Sequence, residues 1–268
     1  MARALAANGA EKVFIIGRRE ERLFETARSA CDGKIIAVPG DVTSKASLQE
    51  AFNRVKAETA RIDLLIANSG VSGPLLPAKG DAAGNQSTLS EFREFFWSIP
   101  MEEYTQIFHV NVTGAFYTVL AFLPLLEASN QMPRSPDQPR PQVIVTSSAA
   151  GFLRNDMGGY AYSCSKAGLT HLAKMLAFTL CHHDIRVNAI APGIFETEMV
   201  SGYFHQHGIQ RATDEGSLPK TMIPLGRCGG ETDIAGIILW MAGKAGAYLN
   251  SNIVISDGGM LNLMPCSF

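Results

Sequence analysis

The stretch Gln142–Lys166 reads QVIVTSSAAGFLRNDMGGYAYSCSK. It opens with an apolar, β-branched run of four or five residues, as a fully buried parallel strand requires. The run stops at Thr146-Ser147-Ser148 and is followed by a turn-rich segment. From about Gly159 to His182 the pattern becomes that of a helix. The same unit recurs on both sides. Val13 to Ile16, Lys34 to Val38, Asp63 to Ala67, Arg186 to Ala191 and Asn252 to Ser256 read as further strands. Helices are predicted at Ala2–Ala7, Glu20–Ser29, from Thr43 or Ser44 to about Ala60, Met101–Ala128 with a bend near Pro124, and Thr232–Ala242. Strand alternating with helix implies right-handed parallel crossovers, and hence an α/β doubly wound parallel sheet covered on both faces.

The 268 residues are read as a single domain, 1–268. Gly, Pro, Ser and Asn dominate 71–97 and 130–141, which read as surface insertions; 199–224 reads as a polar segment. With 46% hydrophobic and 18% charged residues the composition is that of a globular chain. A net charge of −2 offers no overall basic field for nucleic acid or an anionic membrane. The run Val112–Ala128 carries Thr113, Gly114, Thr118 and Pro124, and reads as a buried helix rather than a membrane span. Cys31, Cys164, Cys181, Cys228 and Cys266 show neither disulfide nor metal-ligand spacing, and unpaired thiols point to a reducing, cytoplasmic location. Of the six His, His182-His183 and His205-x-His207 lack partnering carboxylates, so no metal site is expected.

In an open α/β sheet, ligands bind beyond the C-terminal ends of the strands. Those ends carry Gly17-Arg18-Arg19, Asp41-Val42, Asn68-Ser69-Gly70, Ser147-Ser148 and Pro192-Gly193-Ile194. Each alone is ordinary turn chemistry, but together they suit a nucleotide cleft. Tyr162 and Lys166, four residues apart, share a helix face. A phenol beside an ammonium is an acid whose pKa can be drawn towards neutrality from about 10.

These residues, with Asn111-Val112-Thr113-Gly114, Arg186-Val187-Asn188, Pro192-Gly193-x-x-x-Thr197 and Asp257-Gly258-Gly259, resemble the short-chain dehydrogenase/reductase family from residue 2 to about 260. The resemblance implies a Rossmann-like domain and hydride transfer between a nicotinamide and a carbonyl or secondary alcohol. It implies that Tyr162 is the general acid/base and that Lys166 lowers its pKa and holds the nicotinamide ribose. It further implies that Ser148 bonds the substrate oxygen, that Asn111 fixes a water in a proton relay and that 199–224 is a substrate lid. Ser147 is the alternative to Ser148; the family pattern places Gly three residues after the serine, and that is Gly151. Tyr160 is the competitor of Tyr162, but Cys164 rather than Lys follows it by four. Ser148 and Tyr162 stand fourteen residues apart, about one more than is usual in the family.

For the cofactor, guanidinium groups at the end of the strand Val13–Ile16 suit a 2′-phosphate, so NADP(H) is expected in preference to NAD(H). Arg18 is the first contact and Arg19 the second. Asp41 is expected on the adenine amine and Val42 on the ring. Asn68 is expected along the cofactor, with Ile194 and Thr197 at its carboxamide and phosphate end. Family members pair through the helices bearing Asn111 and Tyr162, so a homodimer or homotetramer is expected, with a small-molecule substrate.

The largest departure is that the family's opening strand and T-G-x-x-x-G-x-G loop are absent. The sequence therefore reads as N-terminally truncated, or else the two strands flanking the gap have closed on each other. Either way weak NADP(H) binding is expected. Two rival functions stay open: a catalytically impaired fragment or non-catalytic relative, and a member doing epimerisation or dehydration.

Overall fold

The computed structural model describes residues 1–30, 33–75, 87–133, 135, 138–198, 200, 202, 204 and 208–267. The readings attached to Cys31, His205 and His207, and parts of the stretches 71–97, 130–141 and 199–224, lie outside them.

Six strands and eight longer helices alternate among the described residues: α1 (Ala2–Ala7), β1 (Val13–Gly17), α2 (Glu20–Arg28), β2 (Ile35–Pro39), α3 (Lys45–Glu58), β3 (Leu64–Ala67), α4 (Leu89–Ser98), α5 (Met101–Phe108), α6 (Ala115–Gln131), β4 (Gln142–Thr146), α7 (Tyr160–Leu180), β5 (Arg186–Pro192), α8 (Glu231–Ala242) and β6 (Ile253–Ser256). Every pairing between these strands is parallel. The fold is Rossmann-like, with helices on both faces.

The expected single sheet is divided in two. β1 pairs only with β2, and β3-β4-β5-β6 form a separate sheet in that order. Val13 N donates to Lys34 O and Gly40 N to Gly17 O, so the odd residues of β1 face β2. In a parallel ladder the N–H and C=O of one residue point to the same side. Phe14 and Ile16 therefore turn their backbone groups to the other edge, and by the same reasoning so do Leu64 and Ile66 of β3. No pairing joins β1 to β3 among the described residues, so the two flanking strands have not closed on each other. β1 is half-buried along its whole length, whereas four of the five residues of β4 are buried. An edge that reaches water leaves its polar groups solvated, which limits the cost of leaving them unpaired.

The main core lies between the sheets and α3, α6 and α7. It is built on Phe122, Leu126, Val143, Val145, Leu169 and Val187. Phe52 meets Phe122 edge-on at 6.0 Å between ring centres. A second core under α1 and α8 gathers Ile144, Ile190, Ile238 and Met241, with Met1 and Leu5 against them. An Arg3–Glu231 ion pair ties α1 to α8.

Two expectations change between residues 88 and 131. α4 was read as part of a loop, but Thr88 and Glu91 form a reciprocal capping box that starts it. The expected single helix from Met101 is broken by a π-helical turn, His109–Gly114, and then continues through Pro124 to Gln131. Met101–Gln131 is long and apolar enough to cross a membrane by length and composition alone, and half of its most apolar part is buried in the fold.

Because Phe122 is almost wholly enclosed, Phe122→Ala should lower unfolding free energy by about 3–5 kcal/mol. The exposed Leu120, two residues away on the opposite face of the same helix, should change it by less than about 1 kcal/mol when cut to Ala. Urea unfolding of the two variants tests this, and equal losses would contradict the placement of the core.

Candidate active site

The site begins with a close approach. After β4 the chain enters a 3₁₀ turn, Ala149–Phe152, that lies against α7. A Cβ added at Gly151 would stand 2.8 Å from Ala167 N and 2.9 Å from Lys166 C. Only glycine lets the turn sit this near the helix backbone. That contact sets the two serines. Ser147 is buried against α7, its hydroxyl donating to Lys166 O at 2.9 Å and lying 2.6 Å from Thr170 Oγ1. Ser148 caps the turn by accepting from Ala150 N at 3.1 Å. Its hydroxyl reaches Pro192 O only at 3.4 Å, and it hydrogen-bonds the Tyr162 phenol. Ser147 thus braces the helix, and Ser148 faces the tyrosine.

Tyr162 and Tyr160 separate in the same way. Tyr160 is exposed and packs edge-on against Phe92 and Phe96. Tyr162 is half-buried beside Ser148. Burial pushes the Tyr162 phenol above its ordinary value, and the Ser148 hydrogen bond pulls it partly back.

Lys166 is buried in the first half of α7. Its Nζ donates to Thr146 O at 2.7 Å and lies 5.6 Å from the centre of the Tyr162 ring. Burial lowers its pKa from 10.5 to about 8. The expected depression of the phenol by Lys166 is therefore not what this structure displays. The ammonium is anchored to a carbonyl over the ring, and loss of water outweighs other influences on both groups.

Asn111 is wholly buried inside the π-helical turn. Extra turns of this kind recur at functional positions because they redirect one side chain. Its Oδ1 accepts from Val71 N at 2.8 Å, while its Nδ2 donates to Val71 O at 3.0 Å and to Ser165 Oγ at 2.9 Å. Ser165 in turn donates to Tyr162 O. Asn111 thus holds the strand-end loop against α7. The water-relay role implied by the resemblance is not visible in these contacts. Gly70 lies between the two polar groups: a Cβ there would come within 3.3 Å of both Asn111 Oδ1 and Lys166 Nζ. The missing side chain leaves open the space between them.

The residues expected at the cofactor are less closely gathered. Arg18 is exposed and close enough to Asp41 to lower its pKa, though hydrogen bonds from Thr43 N and Oγ1 are the larger cause. Asp41 spends Oδ1 on that Thr43 turn. Val42 packs near Gly114, and Asn68 stands exposed at the end of β3. Ile194 packs in two small cores, and Thr197 is exposed after β5. Phe204 is buried with Leu218 and Ile223, and Met222 packs against them, so core packing accounts for these four residues. The reading from sequence missed Thr146 O, Val71 and Ser165 as supports and Glu198 as partner of Arg19. No local pattern marks them.

A nicotinamide group fits the arrangement on two counts. Lys166 and Asn111 border a gap that a single Cβ would fill, and a half-buried phenol with a hydroxyl partner stands beside it.

Comparison with known proteins agrees with the chemistry of these groups. Residues 1–208 match the family model described as short chain dehydrogenase. The chain is 41% identical over 271 residues to the short-chain dehydrogenase/reductase PhomF of Diaporthe leptostromiformis, covering 99% of this chain and 88% of that protein. It is 33% identical over 250 residues to the rhamnolipids biosynthesis 3-oxoacyl-[acyl-carrier-protein] reductase of Pseudomonas aeruginosa, covering 92% and 86%. Among solved structures, the Pseudomonas aeruginosa RhlG/NADP active-site complex superimposes with a TM-score of 0.76 at 32% identity, over 97% of this chain and 90% of that one.

The lysine's burial has a consequence for stability. Between about pH 8 and 10.5 the unfolded chain keeps the proton that native Lys166 has lost. Stability therefore rises with pH across that window, and below about pH 8 the slope from this residue vanishes. Tyr162, raised in the fold, acts in the opposite sense only above its ordinary value near 10. Urea unfolding of wild type and Lys166→Met should diverge from about pH 8 to 10, wild type gaining up to about 1.4 kcal/mol per pH unit. A constant difference would contradict a buried, destabilised ammonium.

Proposed function

The chain belongs to the short-chain dehydrogenase family, and from that premise we propose that it is an NADP(H)-dependent oxidoreductase acting on a carbonyl or secondary alcohol through Ser148, Tyr162, Lys166 and Asn111. The observation that carries this reading is that Asn111 and Lys166 face each other across the space at Gly70 while the Lys166 ammonium lies over the ring of Tyr162, which is itself paired with Ser148. A nicotinamide bound there would be held by Lys166 and Tyr162, and would supply or accept hydride at the substrate carbon.

The chain's own groups do the rest. Ser148, loosely bound to Pro192 O, turns its hydroxyl to the substrate oxygen and fixes it. Tyr162 gives its proton to that oxygen in reduction and takes it back in oxidation. Lys166, held by Thr146 O, stabilises the phenolate that results. In a site shielded from water such charge stabilisation is stronger than in solution. Asn111 keeps Val71 and α7 in register, so that the phenol and ammonium stay in place.

The preference for NADP(H) draws on Arg18 and Arg19 at the end of β1, and on the NADP complex of the RhlG relative. A second reading, in which cofactor binds only weakly, draws on the unpaired edges of β1 and β3. The exposed Met175 and Phe178 of α7 and the exposed Leu120 of α6 support pairing into a homodimer or homotetramer. The free thiols Cys164, Cys181, Cys228 and Cys266 support a reducing, cytoplasmic setting. The net charge of −2 favours a small-molecule substrate over nucleic acid or membrane.

Titration of NADPH fluorescence, followed by turnover with a panel of ketones and aldehydes, tests the proposal. Tyr162→Phe should cut turnover at least about 100-fold, the usual scale of a lost general acid, while NADPH affinity changes by less than about threefold. Unchanged turnover would remove Tyr162 from the reaction. Absence of NADPH binding by wild type would favour the second reading.

A further inference from the structure

Two guanidinium groups converge on one carboxylate beside the cofactor-side strand ends. Arg19 Nη1 lies 2.7 Å from Glu198 Oε2, and Arg22 Nη2 lies 3.2 Å from Glu198 Oε1. Arg22 also reaches Glu25 at 3.0 Å. Arg19 precedes α2 and Arg22 sits in its first turn, whereas Glu198 follows Thr197 in the segment after β5. The pair thus bridges two elements 179 residues apart in the chain. The Arg19 hydrogen bond first, and then the charges of Arg19 and Arg22, hold the Glu198 carboxyl below the usual carboxylate range. Arg18 does not join this cluster; it lies near Asp41.

We propose that Glu198 is a cofactor-selectivity residue: its carboxylate occupies the Arg19–Arg22 pair as an internal anion, which the 2′-phosphate of NADP(H) displaces. The inference rests on the NADP(H) reading above and adds the competitor and the second arginine. A carboxylate brings one negative charge and two acceptor oxygens. A phosphate monoester brings a charge of about −1.5 to −2 and three strong acceptors, and guanidinium forks bind it bidentately. NAD(H) has only a hydroxyl at that position and leaves the ion pair in place. A ligand that must first displace an internal competitor binds more weakly than the open site would allow. Because all three side chains are more than half exposed, the competition is modest, and its removal is worth about two- to fivefold in affinity.

The test measures binding, not turnover. NADPH and NADH are titrated by fluorescence, and 2′-AMP and 5′-AMP by calorimetry, into wild type, Glu198→Gln and Arg22→Gln. Glu198→Gln should tighten NADPH and 2′-AMP by about two- to fivefold, with NADH and 5′-AMP unchanged. Arg22→Gln should weaken NADPH and 2′-AMP alone. Three results overturn the inference: no change in NADPH and 2′-AMP affinity in Glu198→Gln, an equal change for NADH, or no binding of 2′-AMP by any form. If wild type prefers NADPH and Glu198→Gln has no effect, the competition alone fails. If wild type prefers NADH, the NADP(H) reading fails with it.

Discussion

The contact of Gly151 with the backbone of α7 is the constraint on which the site depends. It seats the 3₁₀ turn after β4 against the helix, so Ser147 faces the helix carbonyls and Ser148 faces Tyr162. A methyl group at residue 151 would meet backbone atoms at under 3 Å and push the two elements apart. Everything that follows in the site is then geometry inherited from α7. Lys166, one helical turn beyond Tyr162, reaches back to Thr146 O; Ser165 reaches Asn111.

Burial is the second theme. It drives the phenol and the ammonium in opposite directions, both towards their neutral forms. With a pKa of about 8, Lys166 is still an ammonium at neutral pH, whereas Tyr162 rests as the neutral phenol, and negative charge develops on it only as its proton moves. This is a resting state in which the protein's own polar groups, Thr146 O and the Ser148 hydroxyl, hold the reacting atoms in place. Asn111 contributes by position: its amide is spent on Val71 and Ser165, which ties the end of β3 to α7.

Much of this was legible along the chain. The strand–helix rhythm gave the elements to within a residue or two at most boundaries, because parallel strands buried on both faces are short unbroken apolar runs. The Tyr162–Lys166 spacing, and Gly151 taken with the family pattern, singled out Tyr162 over Tyr160 and Ser148 over Ser147, and the structure sets Tyr162 and Ser148 beside each other. The start of α4 was also written in the sequence, as Thr88-x-x-Glu91, although the surrounding Gly and Pro masked it. The π-helical turn was not legible: His109–Gly114 is made of weak helix formers, but nothing in that composition marks an extra residue in the turn, and its effect shows only in the bonds of Asn111 to Val71. The bond of Lys166 to Thr146 and the Arg19–Glu198 pair join residues 20 and 179 positions apart. Local pattern carries no information about such partners.

The amino-acid order by itself determined the α/β class and the direction of the strands, which follow from periodicity acting within a few residues. Ser148, Tyr162, Lys166 and Asn111 were singled out through the resemblance that their motifs carry. Only the tertiary structure decided that the sheet is divided between β1 and β3, that the Lys166 ammonium lies over the tyrosine ring, and that Glu198 meets the arginines of α2. These depend on which backbone edges and charges meet after the crossovers have closed, and that is settled by packing in three dimensions.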